Sequence, residues 1–230
     1  MCNHPYKIYF QFLKSGYCFD CNSTLSDALF IKSEQKEYKN VIMPPMFEAF
    51  TEERWRQLSP WPYLDYEAAK SFYVYFGCLY SQEYIILPVL DEKEKPIFYQ
   101  ARSLDKNVKK SGKYISAPGV KKMYWISYPI IHCVPWFICE GIADAIYMSQ
   151  FGNSVGLMGL DYDGSLDYLL DDSKVYMCLD SDIPGYLAGL YISTLLKNSK
   201  VTFINLPAGK DPVDIPIKEM SNIIESRGRL

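Results

Sequence analysis

The sequence predicts an α/β protein in which a parallel sheet follows a region of mixed helices and strands. From residue 134 onward, short apolar runs alternate with longer segments of helical periodicity. Strands that alternate with helices favour a parallel sheet with right-handed crossovers. Before residue 134, a polar turn between two apolar runs predicts an antiparallel hairpin instead. We therefore expect an α+β region first and a parallel sheet after it.

The composition is that of a globular protein, and it argues against a membrane protein and against a protein that is basic over its whole surface. The 230 residues are 49% hydrophobic and 22% charged, and the formal net charge of −3 gives no overall basic surface for nucleic acid. No apolar run reaches the roughly 18 residues that a membrane span needs, so no membrane partner is expected. The start of the chain lacks the charged-then-apolar order of a signal peptide. We expect a cytoplasmic protein.

The amino-terminal half contains two predicted helices and one predicted hairpin. The first helix is expected to begin after Pro45 and to continue through TEERWRQL. The second is expected over residues 65–75, with Asp65 as its N-cap. The hairpin pairs residues 84–91 with 96–104 around the polar turn DEKEK.

The carboxyl-terminal half contains four predicted strands, each followed by a predicted helix. The strands are PWFICE, SVGLMGL, KVYMCLD and KVTFINL, and the helices are GIADAIYMSQFG, GSLDYLL, IPGYLAGLYISTLLKN and the segment that ends the sequence. Functional groups in parallel sheets gather at the carboxyl ends of the strands. We expect the site at that edge of the sheet.

Acidic residues follow three of these four strands. Glu140 ends the first strand, Asp180 and Asp182 end the third, and Asp211 and Asp214 follow the fourth. Carboxylates that lie close together resist ionising together unless a cation intervenes. Clusters of oxygen ligands suit Mg²⁺ or Mn²⁺. The spacing predicts a catalytic metal site in which Asp180 and Asp182 are the principal ligands.

Each acid taken singly has an ordinary structural interpretation. Glu140 could cap the next helix, and the two aspartates at 180 and 182 could lie at a helix N-terminus favoured by its dipole. The recurrence of acids at equivalent strand ends favours the metal site. Asp144, one turn beyond Glu140, could pair with a lysine, and we interpret it as support for the metal ligands. Gly185 allows a close approach of the backbone where the next helix starts.

Three stretches resemble the motifs of the TOPRIM domain. They are CEGIADAI, similar to E-G-x-x-D-A, LDSDIPG, similar to D-x-D-x-x-G, and GKDPVD with Lys210, similar to the K-D-x-x-D stretch of primases. Upstream, YIILPVLDEKEKPIFYQARSLD and GKYISAPGVKKMYW resemble the amino-terminal half of the polymerase core in phage primases. The similarity covers roughly residues 84–214. It implies a TOPRIM-family DNA primase of the DnaG type or phage type.

The first 22 residues resemble a short primase zinc ribbon of the CHC2 type. Cys2 and His4 precede the pair Cys18 and Cys21, and two such pairs fit tetrahedral structural zinc. The first pair is one residue shorter than the C-x2-H of the ribbon, and the alternative is that the later cysteines are small residues in a hairpin. The resemblance implies a zinc-ribbon-like element over 1–22, a primase-core subdomain over 23–133, and a TOPRIM domain with a Rossmann-like parallel sheet over 134–230.

A basic segment lies between the predicted hairpin and the predicted sheet. Residues 101–125 contain seven lysines and arginines against one acid, Asp105. A solvated loop is the common interpretation, but a cluster of positive charge beside an acidic site favours an anionic ligand. We interpret five of these residues as phosphate contacts to nucleotide and template: Arg102, Lys109, Lys110, Lys113 and Lys122.

The resemblance implies synthesis of short RNA primers on single-stranded DNA from nucleoside triphosphates, by metal-dependent nucleotidyl transfer. Glu140 would complete the metal shell or act as general base, and Asp211 and Asp214 would hold a second ion or its waters. The sequence has no G-x-x-x-x-G-K-[ST] motif, so a separate replicative helicase is an expected partner. Two alternatives stay open: a TOPRIM nuclease that cleaves phosphodiester bonds, and a non-catalytic nucleic-acid-binding replication accessory protein.

Overall fold

The computed structural model describes residues 7–10, 15–18, 23–26, 41–91, 93–109 and 112–228. The chain divides into two compact units, Met1–Tyr38 and Lys39–Leu230. The described helices include none with the length and hydrophobicity that crossing a membrane would require.

The first unit contains a three-stranded antiparallel sheet in the order β1-β2-β3. Its strands are β1 Lys7–Phe10, β2 Ser15–Cys18 and β3 Ser23–Ser26. Cys18 ends β2, where its backbone pairs with Lys7 and Ser23. The side chain of Cys18 lies outside the described residues, as do Cys2, His4 and Cys21. The zinc site therefore stays a prediction.

The second unit begins with two short helices and an antiparallel sheet in the order β4-β5-β6-β7. The helices are α1 Glu52–Leu58 and α2 Tyr66–Ser71, and the strands are β4 Tyr75–Leu79, β5 Gln82–Leu90, β6 Pro96–Ser103 and β7 Tyr114–Ser116. The predicted hairpin is confirmed as β5 and β6. The predicted N-cap is confirmed too, because Asp65 accepts a 2.7 Å hydrogen bond from the amide of Ala68.

The start of α1 differs from the prediction. The helix begins at Glu52, where the side chain of Thr51 caps it, and not directly after Pro45. The intervening residues lie along β4 instead, since the carbonyl of Pro45 accepts from the amide of Cys78 and the amide of Phe47 donates to the carbonyl of Phe76. Pairing with a strand edge has thus overridden the local helical pattern.

The carboxyl-terminal part forms a five-stranded sheet in the order β12-β11-β9-β10-β8. Its strands are β8 Trp125–Ile126, β9 Trp136–Cys139, β10 Asn153–Gly156, β11 Lys174–Cys178 and β12 Lys200–Phe203. The four later strands are parallel, which confirms the prediction, and β8 adds an antiparallel edge. The helices are α3 Ile142–Met148, α4 Asp167–Leu170, α5 Ile183–Leu195 and α6 Ile217–Gly228, with a 3₁₀ helix at Pro212–Asp214.

Two apolar clusters cover the two faces of this sheet. Alternate residues of β9 divide between them: Phe137 and Cys139 belong to one, and Trp136 and Ile138 belong to the other. Phe137 and Ile138 have no exposed surface, and burial of such a side chain stabilises the fold by about 1.5–3 kcal/mol. The cluster around Phe137 also includes core residues of β5 and β6, so the two sheets of this unit share one hydrophobic core.

Candidate metal and nucleotide site

Three adjacent parallel strands place acidic residues at one edge of the sheet. Cys139 of β9 and Cys178 of β11 are register partners, so Glu140 and Asp180 leave neighbouring strand ends. Strand β12, on the other side of β11, leads to Asp211. The side chains lie within electrostatic reach of one another, because the charges of Glu140 and Asp211 both raise the pKa of Asp180.

Asp180 lies at the centre of this acidic cluster, which comprises Glu140, Asp144, Asp180, Asp182, Asp211 and Asp214. Burial is the main cause that raises the pKa of Asp180, to about 8, and its acidic neighbours add to the shift. Its Oδ1 atom is buried and has no hydrogen-bond partner among the described residues. A buried oxygen without a donor is costly, so this atom identifies a position where a positive partner would be stabilising.

Asp182 lies at a helix N-terminus, as in the alternative interpretation of its sequence. It is the N-cap of α5, and its Oδ1 accepts a 2.8 Å hydrogen bond from the amide of Gly185. One oxygen is therefore engaged in the cap, on an exposed turn, and the charge of Asp182 reaches Asp180. A Cβ on Gly185 would lie 2.5 Å from the carbonyl oxygen of Asp180, so only glycine permits this close turn.

Asp211 is the N-cap of the short 3₁₀ helix after β12, and Asp214 is the last residue of that helix. The amide of Asp211 donates a 3.5 Å hydrogen bond to Oδ2 of Asp214. Burial and the charge of Asp214 raise the pKa of Asp211, while a hydrogen bond with the Asp180 side chain and the charge of Lys210 lower it. Asp211 thus lies against Asp180, and Lys210 contributes positive charge from an exposed position.

Asp144 is the most buried member of the cluster. It lies in the first turn of α3 with 8% of its surface exposed, and its Oδ1 accepts a 3.2 Å hydrogen bond from the amide of Val213. Burial first, and then Asp211, raise the pKa of Asp144 to about 7, with smaller contributions from Glu140 and Asp214. Asp144 therefore links α3 to the 3₁₀ helix and adds charge behind the exposed edge.

The donor set of this cluster fits Mg²⁺ or Mn²⁺. All its side chains are carboxylates, and hard divalent cations prefer oxygen ligands. Within the described ranges, no three Asp, Glu, His or Cys side chains are close enough to form a ready-made metal group. The unpartnered oxygen of Asp180 and the raised pKa values are the observations that fit a cation here.

Arg102 presents buried positive charge near this cluster. It pairs across β6 and β7 with Tyr114, and its guanidinium carbon lies 4.9 Å from the centroid of that ring. Its Nε and Nη1 atoms are buried and have no hydrogen-bond partner among the described residues. Burial and, to a smaller extent, the charge of Asp144 raise the pKa of Tyr114 to about 12 against the lowering effect of Arg102. Tyr114 therefore lies within electrostatic reach of Asp144.

Tyr114 and Trp61 are site residues that the sequence interpretation missed. The side chain of Trp61 forms a hydrogen bond with that of Tyr114, which holds the ring under the guanidinium of Arg102. A signal for Tyr114 was present, since it follows Lys113 in the primase-like stretch GKYISA. Trp61 precedes α2, far from any motif, and only the tertiary fold brings it here.

The described lysines among the predicted phosphate contacts lie in two separate places. Nζ of Lys122 donates to the carbonyl of Met158 at 3.5 Å, in the loop whose Gly159 amide donates to the carbonyl of Glu140. Lys122 is thus beside the strand end that bears Glu140. Lys109 and Lys113 are exposed on the segment that joins β6 and β7. Lys110 lies outside the described residues.

Comparison with known proteins agrees with this architecture. Residues 137–215 match the family described as Toprim-like, which confirms the TOPRIM motifs over that range. A search of curated proteins finds no significant match. Solved primase structures share the fold over most of the chain, at sequence identities of 14–19%.

Three primase structures illustrate the likeness. The zinc-binding and RNA polymerase domains of the Aquifex aeolicus primase match at a TM-score of 0.60 and 19% identity, over 76% of this chain and 56% of that one. A DnaG primase catalytic domain bound to single-stranded DNA matches at a TM-score of 0.60 and 16% identity, over 80% of this chain and 73% of that one. The primase fragment of the bacteriophage T7 primase-helicase matches at a TM-score of 0.56 and 14% identity, over 93% of this chain and 90% of that one. This chain has the fold of TOPRIM primase cores and spans little more than half of the Aquifex chain.

Proposed function

We propose that this chain is a DNA primase that synthesises short RNA primers on single-stranded DNA by metal-dependent nucleotidyl transfer. One observation carries the proposal: a buried oxygen of Asp180 and two buried nitrogens of Arg102 have no hydrogen-bond partner among the described residues, and the charge of Asp144 reaches both Asp180 and the Tyr114 ring on which Arg102 stacks. A carboxylate cluster that needs cations and a guanidinium that needs an anion are complementary to a metal-bound triphosphate.

The carboxylates divide into ligands and supports. Asp180 would be the central ligand, Asp182 would contribute the oxygen that does not cap α5, and Glu140 would complete the shell. Asp211 and Asp214 would hold a second ion or its waters. A divalent cation bound here would lower the pKa of an attacking 3′-hydroxyl and neutralise charge on the leaving pyrophosphate.

The remaining residues act on the proton and on the phosphates. Glu140 would complete the metal shell or act as general base for the attacking hydroxyl, because its charge reaches both Asp180 and Asp144 at this edge of the sheet. Arg102, which stacks on Tyr114, would bind the triphosphate, because the phosphate oxygens would accept hydrogen bonds from its buried nitrogens. Lys122 and the exposed pair Lys109 and Lys113, with Lys110, would attract the template strand.

We also propose the partners and location that accompany this activity. The partners are a single-stranded DNA template, nucleoside triphosphates and a separate replicative helicase, and the location is the cytoplasm. Two of the compared structures support this by what they contain: one DnaG domain is bound to single-stranded DNA, and the T7 fragment comes from a primase-helicase.

A template assay tests the proposal directly. The purified chain is incubated with a mixed-sequence single-stranded DNA, the four ribonucleoside triphosphates and Mg²⁺ or Mn²⁺, and the products are resolved on a denaturing gel. New RNA of a few nucleotides supports a primase. Shortened template without new RNA would support a nuclease, and an unchanged template that is nevertheless bound would support an accessory protein.

A further inference from the structure

A cavity of about 280 Å³ opens directly beside Asp180 and Asp182, between α5 and β12. Arg102 does not line it, and the roles predicted for Asp180, Asp182 and Gly185 do not explain its uncharged wall. Its wall is formed mainly by uncharged side chains: Leu179, Tyr186, Phe203, Ile204, Asn205 and Leu206. The two aspartates form its only charged border among the described residues that line it.

Two aromatic rings and a glycine shape the wall of this cavity. The rings of Tyr186 and Phe203 have centroids 5.9 Å apart, and Tyr186 is 58% exposed. Gly189 follows Tyr186 by one helical turn, and a Cβ at that position would lie 2.8 Å from Cε1 of Phe203. The small residue therefore lets α5 pack on the face of the Phe203 ring and leaves the adjacent space open.

The chemistry of the wall selects a neutral planar group. In the part of the chain that the structure describes, no lysine, arginine or histidine lines the cavity, so a phosphate would find no cationic partner there. Aromatic faces bind planar heterocycles by stacking, and the side-chain amide of Asn205 can both donate and accept a hydrogen bond. The volume lies near the lower end of the range for small-molecule pockets, ~300–1,000 Å³, as suits a single heterocycle.

We infer that this cavity binds the base of the nucleoside triphosphate whose phosphates lie at the acidic cluster. The inference rests on the proposed function, because it takes the metal-bound triphosphate as the neighbour of Asp180 and Asp182. Tyr186 supplies the stacking face, Phe203 closes the wall, and Asn205 meets the polar edge of the base. The chain thereby distinguishes a nucleotide from an inorganic polyphosphate.

Calorimetric titration of the full chain in Mg²⁺ tests this site. The probes are ATP, UTP and inorganic tripolyphosphate, and the variants are Tyr186→Ala and Tyr191→Ala. Tyr191 is a matched control, since it lies on the same helix with 57% exposure and does not line the cavity. We expect the wild-type chain to bind both nucleotides about tenfold more tightly than tripolyphosphate. Tyr186→Ala should lose that difference and keep its tripolyphosphate affinity, and Tyr191→Ala should match the wild type.

Each other outcome overturns a defined part of the account. Equal affinity of the wild-type chain for nucleotide and tripolyphosphate would remove the base site and leave the proposed function intact. Equal nucleotide affinities of Tyr186→Ala and Tyr191→Ala would also remove the base site. Failure of the wild-type chain to bind any of the three probes in Mg²⁺ would overturn the base site and the proposed nucleotidyl transfer together.

Discussion

The buried carboxylate of Asp144 accepts a 3.2 Å hydrogen bond from the backbone amide of Val213, a residue 69 positions further along the chain. This bond connects the first turn of α3 with the 3₁₀ helix that carries Asp214. Asp144 also lies close enough to Asp180 to raise the pKa of that residue. The same carboxylate therefore holds two elements of the site together and increases the repulsion that a cation would relieve.

Two substitutions at Asp144 separate these effects. Asp144→Ala leaves the amide of Val213 buried without an acceptor, and we expect a loss of about 1–3 kcal/mol in the free energy of unfolding. Asp144→Asn keeps an acceptor oxygen and removes the charge, so we expect stability at pH 8 at or above that of the wild type. Urea denaturation of the three proteins measures the difference. Equal losses for both substitutions would contradict the hydrogen-bonding role.

The stability of the metal-free protein should fall as the pH rises from about 4 to about 8. The pKa values of Asp180 and Asp144 are raised to about 8 and about 7 in the folded chain, against ~3.9 for an aspartate in an unfolded chain. Between these values the folded state holds protons that the unfolded state has released, and stability then decreases with rising pH.

Denaturation curves in EDTA at a series of pH values measure this dependence, and a second series in Mg²⁺ provides the contrast. A cation that binds the folded state stabilises it by mass action, so Mg²⁺ should raise stability most at the upper end of the range. The pH dependence should flatten in Asp180→Asn. A metal-free chain whose stability rises between pH 5 and 8 would argue against the raised carboxyl pKa values.

Arg102→Met should weaken binding of tripolyphosphate while preserving the fold. The substitution removes two buried nitrogens that have no hydrogen-bond partner among the described residues, and the methionine side chain can still cover Tyr114. We expect at least a tenfold loss of affinity, since hydrogen bonds to a charged group contribute about 1.5–3 kcal/mol. Lys106→Met is the control from the exposed basic segment, with an expected loss below about fivefold.

Calorimetry in Mg²⁺ and urea denaturation together assess this pair. A stable Arg102→Met variant with wild-type affinity would show that the guanidinium does not face the ligand.

The positions of Glu140, Asp180 and Asp211 could be predicted because they depend on a topological rule. Each follows an apolar strand, and parallel strands direct their carboxyl ends to one edge. The place of Asp182 at a helix N-terminus could also be predicted from the sequence, since Pro184 and Gly185 mark a helix start.

Other features depend on contacts between distant residues. Strand β4 begins at Tyr75, where the sequence favours a continued helix, because its pairing with β5 outweighs local propensity. The burial of Arg102 against Tyr114 requires the register of β6 and β7. No local pattern reveals that register. The sequence therefore predicts Arg102 as a phosphate contact but does not predict its half-buried position against the ring.

The predicted zinc ribbon is open to a direct metal assay. Cys2, His4, Cys18 and Cys21 form the expected ligand set, and structural zinc with four protein ligands binds tightly. Elemental analysis of the purified chain should find close to one zinc per molecule, and the double substitution Cys18→Ser with Cys21→Ser should reduce it to background. A zinc-free wild-type chain would return these residues to an ordinary hairpin.

Primer synthesis by Asp180→Asn tests the central claim most directly. The comparison uses the wild-type chain and Asp172→Asn, a control at an exposed aspartate whose φ of 53° suits asparagine. Because a bound cation contributes several kcal/mol to transition-state stabilisation, we expect a loss of about a thousandfold in Asp180→Asn and none in the control. Primer yields from Asp180→Asn that equal those of the wild-type chain would contradict a metal-dependent site at this edge of the sheet.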